Sequence, residues 1–219
     1  MKKTGKLMLE FLFKKREIDK LEICNNLYIK IKELYSKENI KKERRMEFSS
    51  LIEKFGYLPY SQAKALNELT PAEVIFCLEK KLELNHALKD NKLFFEKEKI
   101  SAVKRQGFKN SDWIKKEQHD IKLINLAALG DGAKSLEPAK FIDWLRQIVI
   151  LPSGNIKKNI LSTTIYLIPF TPRDFGNAYL IAGTEEISPK LEDKELKALD
   201  ISGKEQIKLF ITLAQLAGH

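Results

Sequence analysis

Apolar residues at Ile18, Leu21, Cys24, Tyr28, Ile31 and Tyr35 recur every three or four positions, with Leu27 and Leu34 widening the stripe and Lys and Glu filling the other face. That period predicts one amphipathic helix, or two in succession, from Lys6 to about Tyr35. The highly charged stretch Asn39–Arg45 reads as a turn or helix end, and Phe48, Leu51, Ile52 and Phe55 predict a shorter helix after it. Gly56 and Pro59 stop that helix: glycine permits the left-handed turn, and proline disfavours a helical residue before it. Next, Thr70, Pro71 and Glu73 form a capping box with proline at the first helical position, which predicts a helix over Pro71–Leu88.

Beyond residue 90 the pattern is less regular. Phe94, Phe95, Ile100, Val103 and Phe108 suggest a further helix, Ile121–Leu129 is apolar without a decisive period, and Gly130, Asp131 and Gly132 mark a turn. Pro138 opens a helix to Leu151 that places Phe141, Ile142, Leu145, Ile148 and Val149 on one side and Trp144 at its edge. Leu151 to Asn155 is loop punctuation. Thr163–Phe170 is short, β-branched, aromatic and almost continuously apolar, as a strand covered on both faces is. A loop runs through Ser188 and Pro189. Ser202 and Glu205 then form a second capping box for a helix in which Ile207, Phe210, Ile211 and Ala214 face one way, while Leu209, Leu213 and Leu216 make most of its surface apolar. Gly218 is placed to cap its C-terminus.

An apolar strand followed by a capped apolar helix is the first half of a βαβ unit, whose crossover leads to a parallel strand. None follows before His219. Either the strand pairs with an earlier segment, for which Ile121–Ala128 is the only fair candidate, or the sequence is cut short; the second is the expectation taken here. A lone strand and apolar helix would also make the isolated chain prone to self-association.

Composition changes this picture in one respect. The net charge of +9 over 219 residues is distributed as +6 in residues 1–60, +5 in 61–160 and −2 in 161–219. The shift divides the chain into a basic, mainly helical region (1–150) and a second region (151–219). The basic start lacks a cleavage site, no apolar run approaches the roughly 20 residues of a membrane span, and Cys24 and Cys77 read as separate buried thiols. These features suggest a cytoplasmic protein without a membrane partner. His86, His119 and His219 are too scattered for a ligand set, and no phosphate-cradling glycine loop is present, so no metal or other cofactor is expected.

Residues Ile165 to Phe170, the loop containing Gly176, the Ile187-Ser-Pro189 stretch and the helix ending at Ala217-Gly-His219 resemble the second strand, loop and helix of the (β/α)8 barrel in the α-amylase family of glycoside hydrolases. The likeness covers about 57 residues, a quarter of the chain. It departs from the family where Asn177-Ala178-Tyr179 replaces the expected Tyr-Asp after Gly176, and Ala182-Gly183 the Asp-Tyr downstream. The resemblance implies a mixed α/β fold, with a mostly helical region followed by the beginning of an incomplete (β/α)8 (TIM) barrel, and an α-glucan or related oligosaccharide as the parent's substrate. The family's nucleophilic Asp, acid/base Glu and stabilising Asp follow later strands, so no catalytic residue is assigned here and the chain by itself is expected to be inactive. Arg173 and Asp174, just past the strand, are candidate sugar contacts, or else an ion pair shaping the loop. Tyr179 can stack on a sugar ring or plug the loop. A different function is suggested by Lys41-Lys42-Glu43-Arg44-Arg45: a basic helical surface for nucleic acid or a protein partner.

Overall fold

The computed structural model describes residues 22–59, 69–94, 120–126, 129, 140–152, 163–168, 170–171 and 187–219. Helix α1 (22–35) buries Cys24, Leu27, Tyr28, Ile31 and Tyr35, the face its spacing predicts; Ile18 and Leu21 lie outside the described residues. Helix α2 (Lys42–Phe55) buries Phe48 and Ile52 and ends at Gly56, whose φ of 82° is the left-handed conformation glycine adopts without strain. The following loop is pinned to the core by a hydrogen bond from Leu58 N to Val149 O (3.0 Å).

Helix α3 (Pro71–Leu84) has the full capping box of Thr70 and Glu73, but it ends four residues before the expected Leu88. His86 turns left-handed (φ 53°), and Ala87 N closes on Leu82 O, a Schellman-type end. A hairpin of β1 (Leu88–Lys89) and β2 (Lys92–Leu93) follows, and its turn residues Asp90 and Asn91 both have positive φ. Two left-handed residues make a type I′ turn, which Asp and Asn tolerate better than other side chains. Asn25 of α1 holds the hairpin through both atoms of its amide: Leu93 N donates to Oδ1 (2.6 Å) and Nδ2 donates to Leu93 O (3.2 Å). Residues 95–119 lie outside the described residues, and with them all of the helix suggested by Phe94 to Phe108 except Phe94, which is not helical.

The apolar segment after residue 120 is a strand, β3 (Asp120–Ile124). Helix α4 (Phe141–Ile150) leads on to β4 (Thr163–Leu167), which pairs in parallel with β3 from Asp120↔Thr163 to Ile124↔Leu167. The strand therefore takes the earlier segment as its partner, where the sequence analysis preferred a missing downstream one. It is also shorter than expected and not covered on both faces. Ile124 is buried, and Ile165 and Leu167 pack on the core, but the opposite face leaves Ile121 (69%), Leu123 (50%) and Tyr166 (57%) exposed.

Trp144 is a second correction. It is fully buried at the centre of α4, its ring between Phe141 (centroids 5.3 Å apart) and Phe210 (6.1 Å), with Nε1 donating to Leu126 O at 3.3 Å. An indole buries more area than the aliphatic side chains beside it once its N–H has a partner. The same core also takes a 3₁₀ turn (Pro189–Leu191), the short helix α5 (Lys194–Lys197) and helix α6 (Gly203–Leu216), so a single apolar cluster runs from Cys24 to Ala217 and crosses residue 150. Helix α6 is buried on several sides, as expected. It begins at the Ser202/Glu205 capping box, and Gly218 at φ 93° ends it; Ile211 points outward rather than with Ile207. Among the described residues no helix is long and apolar enough to cross a membrane.

Candidate functional site at the strand ends

Parallel pairing brings the C-terminal ends of β3 and β4 side by side, and Ile168 N extends the ladder by donating to Ile124 O at 3.0 Å. Open and closed parallel sheets alike bind their ligands at this edge, because the connecting loops there diverge and leave room. Phe170 and Ser188 flank the segment that holds Arg173, Asp174 and Tyr179, and they are joined by Ser188 N donating to Phe170 O at 2.9 Å. The three candidate residues lie outside the described residues. At the entrance, the Thr171 hydroxyl is buried and has no hydrogen-bond partner among the described residues.

The buried carboxylates elsewhere are committed to structure. Asp193 Oδ2 accepts from Phe141 N (2.7 Å) and from the Tyr35 hydroxyl (3.3 Å), while Oδ1 accepts from Glu195 N (2.9 Å) and Leu196 N (3.5 Å). One side chain thus caps α4 and α5 and ties α1 to both, which fills the acceptor capacity of a carboxylate. Gln206 completes the knot: its Oε1 accepts from Asp193 N and its Nε2 donates to Asp193 O and Ile201 O. Burial, followed by the negative charge of Asp193, pushes the Tyr35 phenol up. Glu73 is likewise occupied, by Thr70 N and by Arg44 Nε (2.6 Å) and Nη2 (3.0 Å). Among the described residues no group of His, Cys, Asp or Glu is arranged to hold a metal ion.

That bidentate pair bears on the basic cluster. Arg44 packs its guanidinium over Phe48 (4.8 Å) while binding Glu73, and Arg45 lies over Phe76 (5.6 Å). Both arginines therefore contact side chains of the fold, Arg44 half-buried, while Lys41, Lys42 and Arg45 are the exposed basic members of the run.

One buried group escaped sequence analysis altogether. Lys81 is fully buried in the stripe formed by Val74, Cys77, Leu78 and Leu82, positions whose spacing marks it as an anomaly on an apolar face. Its ammonium group approaches Ile148 O (2.5 Å) and Leu151 O (2.9 Å), capping the end of α4 from a neighbouring helix. Burial pushes its pKa down to about 7. The same burial pushes the Cys77 thiol up. His219, set aside as isolated in the sequence, meets Lys81 Nζ with its Nε2 at 3.2 Å.

Comparison of the chain with protein-family models, with curated proteins and with solved structures found no match.

Proposed function

We propose that this chain forms the front part of a cytoplasmic glycosidase of the α-amylase type, acting on α-glucans or related oligosaccharides, with the catalytic carboxylates lying beyond His219. The observation that carries the proposal is the order β3, α4, β4, α6 with β3 and β4 parallel in register. Two successive strand–helix units of this kind are how a (β/α)8 barrel begins, and in this reading β3 and α4 are the first strand and helix, ahead of the residues that resemble the family's second. The burial pattern agrees with it. One face of the strand pair packs on the helices, and the face that would line a barrel interior presents Ile121, Leu123 and Tyr166. In this reading Arg173, Asp174 and Tyr179 belong to a loop at the catalytic edge, where they contact sugar without performing bond cleavage. Retaining hydrolysis needs two carboxyl groups roughly 5–5.5 Å apart across the scissile bond. Asp193 and Glu73, the buried carboxylates described above, are saturated.

Electrophoresis of the purified chain through gels containing amylose or glycogen tests the sugar contact. The expected result is retardation that depends on the α-glucan and weakens roughly three- to tenfold in Tyr179→Ala, the usual range for an aromatic contact. Equal mobility of wild type with and without α-glucan would count against the reading.

A further inference from the structure

The fold divides the basic run from Lys41 to Arg45 into cations that are already used and cations that are not. Arg44 gives Nε and Nη2 to the carboxylate of Glu73. That hydrogen bond pushes the Arg44 guanidinium pKa up, and the nearby charge of Glu47 adds to it. Glu47 therefore lies on the Arg44 flank of α2, and Glu43, one turn before it, shares that flank. Arg45 stands about 100° further round the helix. It is four residues from Lys41 and three from Lys42, so the three cations are neighbours on the surface, and all are exposed. Glu53, on the Lys42 side, comes three turns later and bounds the group.

The facing helix adds no free carboxylate to oppose them. On α3, Glu73 is paired with Arg44, Glu79 with Lys32 (2.5 Å) and Glu83 with Lys80 (2.7 Å). Between the helices stands the half-buried ring of Phe76, with Arg45 over it from α2 (5.6 Å) and Lys80 from its own helix (5.8 Å). Among the described residues the side chains of Lys41, Lys42 and Arg45 make no hydrogen bond and no ion pair. A guanidinium held through its face keeps its N–H donors, which lie in its plane, available to an acceptor. The ring also restricts the side chain beforehand, which lowers the entropy lost on binding.

A positioned arginine fork with two lysines beside it matches the oxygens of phosphate groups. These cations belong to residues 1–160, whose net charge is +11. An acidic protein surface offers carboxylates at irregular intervals among its own cations, whereas duplex DNA carries a negative charge about every 1.7 Å along its axis. From this arrangement we infer that Lys41, Lys42 and Arg45 form a binding surface for the phosphate backbone of nucleic acid, with Phe76 positioning Arg45. Because the contacts are to phosphate, binding is indifferent to base sequence. The inference does not depend on the glycosidase reading, in which α2 and α3 precede the barrel.

Fluorescence anisotropy of the full chain with two labelled DNA duplexes of roughly 20 base pairs and unrelated sequence tests it, over about 50 to 200 mM salt. The expected result is equal affinity for the two duplexes and a loss of affinity with salt. The slope of log K against log salt should become shallower by about 2.7 when Lys41→Gln, Lys42→Gln and Arg45→Gln are combined, at about 0.9 for each phosphate contact removed. Taking the same charge from Lys194, Lys204 and Lys208, exposed on α5 and α6, should leave the wild-type slope. All six positions are exposed, so neither triple variant disturbs the core. The inference is overturned by a wild type that binds neither duplex at the lowest salt, or by two triple variants with the same slope. Displacement of the duplex by poly-glutamate at equal charge would also overturn it, and would assign the face to an acidic protein instead.

Discussion

Replacing Asp193 by Ala should destabilise the fold by about 3–5 kcal/mol, at the upper end of what one substitution does. The side chain is buried and accepts from four donors, and its loss strands the first amide of α4, the Tyr35 hydroxyl and two amides of α5 at once. A lost helix cap costs about 0.5–2 kcal/mol, and each buried donor left without an acceptor about 1–3 kcal/mol, with partial overlap because α5 can fray into water. Asp193→Asn keeps one acceptor oxygen and should lose less, about 1–3 kcal/mol. Urea unfolding followed by circular dichroism measures both. An Ala variant within about 1 kcal/mol of wild type would show that the knot between α1, α4 and α5 is not where the stability resides.

The second large effect is a dependence on pH. Lys81 has its folded-state pKa depressed from 10.5 to about 7, so the unfolded chain holds this proton more tightly than the native one. Stability must therefore rise with pH above about 7, and below that value the full penalty of burying the charge applies. Between about pH 7 and pH 9 the gain should be about 2 kcal/mol. Above about pH 9 the slope reverses, because Cys77, Tyr28 and Tyr35 have raised values in the folded state and ionise first in the unfolded chain. Urea midpoints of wild type and Lys81→Met at pH 7, 8 and 9 isolate the contribution. The wild-type midpoint should climb while that of Lys81→Met stays level. A wild-type midpoint that is flat or falls across this window contradicts the assignment.

How much of this was legible in the sequence follows from how local each signal is. The capping boxes at Thr70 and Ser202 and the glycine ends at Gly56 and Gly218 were readable because cap and helix lie within a few residues of one another. The start of α4 was misplaced to Pro138 because the group that accepts from its first amide, Asp193, is 52 residues away. The hairpin was missed because Asp90-Asn91 is a weaker type I′ signal than a glycine-containing pair, and the strands it joins are only two residues long. For β4 the correct partner was named but not chosen. Its pairing rests on a connection of nearly forty residues, which leaves no local trace. Lys81 stood in plain view on an apolar stripe, but only the tertiary structure brings it to the carbonyls at the end of α4 and to His219. Arg173, Asp174 and Tyr179 lie outside the described residues, and the structure gives only the contact between Phe170 and Ser188 that flanks them.

The most direct test of the glycosidase reading is the genomic sequence immediately after the codon for His219. A frame that continues into a third strand ending in Asp and then Asn-His, with Asp and Glu motifs after later strands, is the predicted result and would make this chain the front of a barrel enzyme. A stop codon at that point would contradict it, leaving β3 and β4 as a self-contained parallel pair and the basic helices as the surface to investigate.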